Sequence, residues 1–382
     1  MASHHSIENE LLKICCAAPN EESAARVREL CVPSLDWNYL TSMARRHAVL
    51  PLLYECLSKA AADLVPADYL QRLKTNYQQN AARNVVLTGE LLAIIISLEE
   101  NGIESMPFKG PALAILAYDD LARRSFIDLD LIVRKRDVAK ACELLETRGY
   151  RSSTETQLGS FFEPSQHSIA LARDAGRMIV ELHWRISADL YAAALDLDAL
   201  WDRLDTIVIR DTPVKSLPIE DYLLALCVHG SRHLWERLSW IADVVALIRQ
   251  REIDWRRLLA TATSTDSERM LLLGLHLARK LSGVALPNEL TERIESHPVI
   301  TRLAEAIEAQ LFSESETSRF SMRRVFQYQM LLRASWRARA RYLLFALSPS
   351  DRDLHAVSLP KLLRFLYYAI RPLRLMTQAR RA

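Results

Sequence analysis

Two aspartates one residue apart, Asp128 and Asp130, sit in the alternating run F-I-D-L-D-L-I-V from Phe126 to Val133. Side chains of a β-strand alternate between faces. A strand here therefore predicts both carboxylates on one side, with Ile127, Leu129 and Leu131 turned into a core. Along the strand the two acids are about 7 Å apart, a span that two divalent ions can bridge. Their repulsion is costly unless cations are bound. Magnesium suits such a site, because it takes hard oxygen ligands, commonly one or two carboxylates plus substrate phosphates; manganese is the expected substitute.

On its own D-x-D is a weak signal, since solvated charges on an exposed face look the same. A second run strengthens it. In M-I-V-E-L-H-W-R-I, Met178 to Ile186, Glu181 and His183 fall on one face among Val180, Leu182 and Trp184. A carboxylate in the middle of such a strand needs a partner or a cation. If the two strands are neighbours, Glu181 becomes the third ligand beside Asp128 and Asp130. His183 reads equally as an orienting, packing or catalytic residue.

The elements that must position these acids differ from the rest of the chain. Residues 7 to 98 read as amphipathic helices, with Asp36 and Pro66 near helix starts and Leu40, Met43, Ala44 and His47 at helical spacing. A long helix from Asn80 to Glu100 stops at Asn101-Gly102, where a domain boundary fits. An α/β island follows. Glu104 to Lys109 is extended, Gly110 to Arg124 helical, Phe126 to Val133 a strand and Arg136 to Arg148 a helix. Strands at Ser168 to Arg173 and Met178 to Ile186 flank the turn Asp174-Ala175-Gly176. A short ribbon at Thr206 to Arg210 and Val214 to Leu217 precedes a return to helix at Pro218. The division expected is 1–98 helical, 99–217 α/β and 218–382 helical.

On the last of these segments His229 and His233 are four apart on one predicted helix face, and Asp243 lies about three turns further on. They read as a second metal site, as hydrogen-bonding groups at the interface with the α/β core, or as nucleotide contacts. H-x-x-x-H without an intervening Glu is not a zinc-protease motif.

Composition narrows the remaining classes. Only 9 glycines in 382 residues favour long helices with few turns. A net charge of +2 is too small for bulk charge to imply nucleic-acid binding. From Arg319 onward, however, 14 Lys or Arg face only Asp351 and Asp353. That basic stretch suits an anionic membrane, nucleic acid or the acidic remainder of the chain. A loop is expected from Ser348 to Pro360. The 6 cysteines lack C-x-x-C or finger spacing, which argues against zinc and for reduced thiols in the cytoplasm. The N-terminus has no secretory pattern, and no transmembrane segment is expected from the longest apolar runs.

The sequence resembles the uncharacterised nucleotidyltransferases of the polymerase-beta-like superfamily found in bacterial biosynthetic loci. The matching residues are F-K-G at Phe108 to Gly110, R-R-S-F-I-D-L-D-L-I-V at Arg123 to Val133, R-G-Y at Arg148 to Tyr150 and E-L-H-W at Glu181 to Trp184. H-G-S-R-H at His229 to His233, R-L-S-W-I-A-D ending at Asp243 and R-P-L-R-L at Arg371 to Leu375 also match. The resemblance implies an α+β fold: a small mixed sheet with helices, flanked by N- and C-terminal helical segments. It further implies transfer of a nucleoside monophosphate from a nucleoside triphosphate such as ATP to an acceptor, with Asp128, Asp130 and Glu181 holding the metal ions.

Two departures bear on phosphate binding. The superfamily's usual Gly-Ser or Gly-Gly pair is Gly110-Pro111 here, and the gap to the first aspartate is longer. Pro111 suits a first helical turn whose amides face an anion, Lys109 supplies positive charge, and Arg124 lies near the acidic strand. The acceptor implied is a small molecule, sugar, peptide or protein. Two other readings accompany this one: a nucleotide-binding regulator that has lost turnover, and an RNA- or protein-modifying enzyme of toxin-antitoxin type that uses the basic C-terminal helices.

Overall fold

The structure, a computed structural model, describes residues 5–17, 21–152, 167–186, 200–313 and 321–347. The expected loop after Ser348, the end of the basic segment and the R-P-L-R-L motif lie outside the described residues. Five helices come first: α1 (Ser6–Cys16), α2 (Glu21–Leu30), α3 (Trp37–Arg46), α4 (Leu50–Ala60) and α5 (Ala67–Glu100). Asp36 starts α3 because its Oδ1 accepts the N–H groups of Asn38 and Tyr39, both at 2.9 Å, which have no partner inside the helix. At 34 residues α5 is long and apolar enough to cross a membrane by length and composition alone. In the fold its Leu87, Leu91, Ile94, Ile95 and Leu98 form a wall of an apolar core.

The sheet is built from β1 (Ser105–Phe108), β2 (Leu129–Val133), β3 (Arg151–Ser152), β4 (Ser168–Arg173) and β5 (Met178–His183). Its strand order is β1-β2-β5-β4-β3. β2 pairs antiparallel with β1 and parallel with β5, while β4 and β5 form the expected hairpin. Two helices, α6 (Gly110–Tyr118) and α7 (Val138–Thr147), connect these strands. The fold is thus α+β, with a small mixed sheet flanked by helices. A two-stranded ribbon follows, β6 (Asp205–Ile209) and β7 (Thr212–Ser216), closed by Arg210 and Asp211 with φ of 47° and 64°. Two consecutive residues with positive φ match the right-handed twist of a hairpin.

Two expectations need correction. Strand pairing starts at Leu129 and not at Phe126, so Asp128 lies just ahead of β2, and Ile127, expected in the core, is 65% exposed. The cause is the length of the neighbouring ladders: Phe108 is paired with Asp130 and Val180 with Leu129, and no pairing reaches residues 126 to 128. Likewise the helix expected through Arg124 ends at Tyr118. Asp119 turns left-handed (φ 54°), and Leu121–Arg123 is a single 3-10 turn capped by Asp120.

Helices resume with α8 (Ile219–Arg232), α9 (Leu238–Gln250), α10 (Trp255–Ser264), α11 (Glu268–Ser282), α12 (Asn288–Glu295), α13 (Pro298–Leu311), α14 (Met322–Leu331) and α15 (Trp336–Leu347). They pack on the N-terminal helices. Leu11 and Leu12 of α1 belong to the same apolar cluster as Leu271 and Leu275 of α11, and each buried leucine contributes about 1.5–3 kcal/mol. His47, at the end of α3, ties the two helical segments together. Its Nε2 lies 3.0 Å from the Leu311 carbonyl and its Nδ1 accepts the Leu238 N–H at 3.3 Å.

The sheet divides the interior. Leu129, Leu131, Val133, Val180 and Leu182 face α5 and α7, whereas Met106, Phe108 and Ile132 face the helical body. By strand alternation Asp130, Glu181 and His183 share the second face.

Candidate active site

Register brings the acids together. In the parallel β2–β5 pair Asp130 stands opposite Glu181, so the two carboxylates are neighbours on the face turned toward the helical body. His183 reaches back along β5. Its Nε2 is 2.9 Å from Asp130 Oδ1 and 3.4 Å from Glu181 Oε2. One ligand atom each from Asp130, Glu181 and His183 lies within 4.8 Å of the others, the one group of metal-ligating type among the described residues. Asp128 stands outside this tight group. It is nonetheless within electrostatic reach of both other acids.

The charge balance distinguishes the three carboxylates. Burial, followed by the negative charges of Asp130 and Glu181, raises the Asp128 carboxyl above its ordinary range, with Lys109 opposing. Asp130 is more deeply buried, which alone would raise it; Lys109, the His183 hydrogen bond and Arg124 overcome that and hold it low. The His183 hydrogen bond lowers Glu181 against its own burial. For His183 burial favours the neutral ring, but the bonds to Asp130 and Glu181 prevail and its pKa rises. Its Nδ1 is buried without a hydrogen-bond partner.

Lys109 occupies the turn from β1 into α6 in an unusual conformation, φ 57° and ψ −139°, followed by Gly110 at φ 40°. Holding a non-glycine residue there costs about 1–3 kcal/mol. Tyr222 of α8 secures the turn, its hydroxyl accepting the Lys109 N–H at 2.6 Å. The ammonium donates to His229 Nδ1 at 3.3 Å. Arg124 is held from two sides. Its carbonyl accepts the side-chain amides of Asn80 at 3.2 Å and Asn84 at 2.7 Å, and its Nε donates to Asp243 at 3.2 Å. Asp243, 1% exposed, also accepts from the Tyr118 hydroxyl at 3.0 Å. Burial raises Asp243 despite Arg124, which makes this ion pair costly to break.

His229 and His233 do not converge with Asp243 on a metal-ligating group. Their rings lie 4.7 Å apart, with Trp240 edge-on to His229 at 5.2 Å and 5.5 Å from His233. Burial, then Lys109 and His233, pushes His229 far below its usual value, and burial with Arg232 takes His233 down to about 4. Gly230 explains the geometry of this corner. A Cβ there would sit 2.6 Å from the ring of Trp235, which is fully buried, so only glycine lets that ring seat and turn the chain into α9.

Several residues at the site had not been singled out. Tyr222 and Tyr118 carry hydroxyls that burial obliges to find partners, a signal too general to point here. Arg232 donates to His167 Nε2 at 3.1 Å, and the His167 ring is 6.0 Å from that of His183. Arg232 lies within the H-G-S-R-H motif without a role of its own there; His167 has no sequence signal.

A model of the family described as uncharacterised nucleotidyltransferase matches residues 33–283, about two thirds of the chain, from just before α3 to the end of α11. Among solved structures, the crystal structure of an antigenic nucleotidyltransferase-like protein from Paracoccidioides brasiliensis is similar at 16% identity and a TM-score of 0.32. That match covers 58% of this chain and 92% of the other. No curated protein matches the chain.

Proposed function

Because the chain belongs to the uncharacterised nucleotidyltransferase family, we propose that it transfers a nucleoside monophosphate from a nucleoside triphosphate to an acceptor and releases pyrophosphate. The observation that carries this reading is the β2–β5 register, which sets Asp130 beside Glu181 on the face overlooked by Lys109. These residues fit a divalent cation. They offer hard oxygens, bridged by the His183 imidazole, and the raised Asp128 carboxyl marks an excess of negative charge that a cation relieves. Bound magnesium or manganese would neutralise charge on the phosphates and lower the pKa of the acceptor hydroxyl.

The chain's own groups do the remaining work. Asp130 and Glu181 would hold the cation, and Asp128 adds negative charge within electrostatic reach of both. His183 fixes both carboxylates through Nε2, restricting their rotamers before substrate arrives. Lys109 brings an ammonium to the phosphates, and the amides that open α6 at Gly110 face the same anion. Arg124, engaged with Asp243, adds positive field at the Asp130 side.

The test is to incubate the protein with each α-labelled triphosphate, magnesium or manganese, and a lysate of its own cell. Label should move to an acceptor in the wild type and not in Asp130→Asn; equal labelling by the variant rejects the assignment.

A further inference from the structure

We propose that the face of α8 bearing His229, Arg232 and His233, together with Lys109 and His167, is the wall that binds the polyphosphate tail of the triphosphate and its pyrophosphate product. This rests on the nucleotidyltransferase reading above and adds Arg232 and His167 to it. Positions 229, 232 and 233 share one side of a helix. That side meets the acidic face of the sheet at two points: His229 receives the Lys109 ammonium at 3.3 Å, and Arg232 reaches His167 at 3.1 Å, whose ring lies 6.0 Å from His183. The wall therefore runs from the Lys109 turn to the far end of the carboxylate cluster.

Its electrostatics call for an anion. Burial is the main cause that keeps His229 and His233 neutral, and the cations Lys109, Arg232 and, for His233, Arg237 add to it, so positive charge gathers on this side of the site. The carbonyls at the end of a helix would oppose an anion. Here they are engaged: Gln329 of α14 donates to the Ser231 carbonyl at 2.9 Å and the Arg232 carbonyl at 3.3 Å, and the Trp235 N–H takes the Gly230 carbonyl. Two further imidazoles beside a guanidinium and an ammonium supply neutral N–H donors that bond phosphate oxygens.

The probe is inorganic tripolyphosphate, titrated calorimetrically into the full-length chain in metal-free buffer. Arg232→Met should weaken binding by about ten-fold or more, Arg232→Lys by less, and Arg177→Met, which removes a charge from the exposed β4–β5 turn, by less than about two-fold. Tripolyphosphate should also shift the His229 and His233 ring resonances of the wild type, a measurement that needs no variant. Arg232→Met affinity within two-fold of wild type, or unmoved ring resonances, overturns the proposal. Asp130→Asn separates it from the functional reading. Tripolyphosphate binding that needs Arg232 in a chain showing no label transfer upholds the wall alone; Asp130-dependent transfer with binding indifferent to Arg232 upholds the transferase alone.

Discussion

The two walls of the site contain the same residue type in opposite electrical states. On the sheet, His183 lies between Asp130 and Glu181 and its pKa is raised; across from it His229 and His233 lie among cations and their pKa values are lowered. Burial pushes all three in one direction, so hydrogen bonds to carboxylates on one side and nearby cations on the other decide the difference. An acidic floor facing a basic wall is what a metal–polyphosphate complex requires, each side matching one half of the ligand's charge.

The contrast can be broken most severely at the floor. If the proposed function holds, Asp130→Asn should reduce label transfer by at least about a thousand-fold, because it removes the negative charge that would hold the cation and that pairs with His183. Next is the ion pair beneath the wall. Asp243→Asn leaves Arg124 buried without its countercharge and should cost about 3–5 kcal/mol in urea unfolding. Gly230→Ala disturbs the seat of the wall and none of its charges. The added methyl meets the Trp235 ring, so about 1–3 kcal/mol of stability should be lost while Asp130-dependent chemistry survives in the folded fraction. The smallest effect comes from pH. His233 and the structural His47 both have folded pKa values lowered to about 4, so the unfolded chain takes up their protons first. Their contribution is complete above pH ~6.5 and declines as pH falls toward about 4, by about 1 kcal/mol for each over the first unit of that fall. His233→Gln should flatten part of that decline; an unchanged pH profile would contradict the burial and basic surroundings assigned to His233.

How much of this could be read from sequence follows from the range of each interaction. The hairpin around Asp174-Ala175-Gly176 and the shared face of Glu181 and His183 depend on period-2 alternation and a local turn, and both appear as expected. Adjacency of the two acidic strands was a conditional reading, and the parallel register places Asp130 opposite Glu181. The exposure of Ile127 was not legible. It depends on where β1 and β5 stop pairing, which no local pattern encodes. Arg124 looked like a residue near the acids, but Asp243, 119 positions away, engages its guanidinium. His167 gave no signal because its relation to Arg232 exists only once the residue ahead of β4 meets the end of α8. The family resemblance, drawn from short motifs, agrees with the match over residues 33–283 for every motif but R-P-L-R-L at Arg371 to Leu375, which lies beyond it.

The backbone at Lys109 sets stability and catalysis against each other. An amine is displayed from a conformation that glycine would adopt freely, so Lys109→Gly should relax the turn and yield a sturdier fold. The same exchange deletes the cation that the proposed function sets at the phosphates, and on that reading a more durable protein would be a slower one.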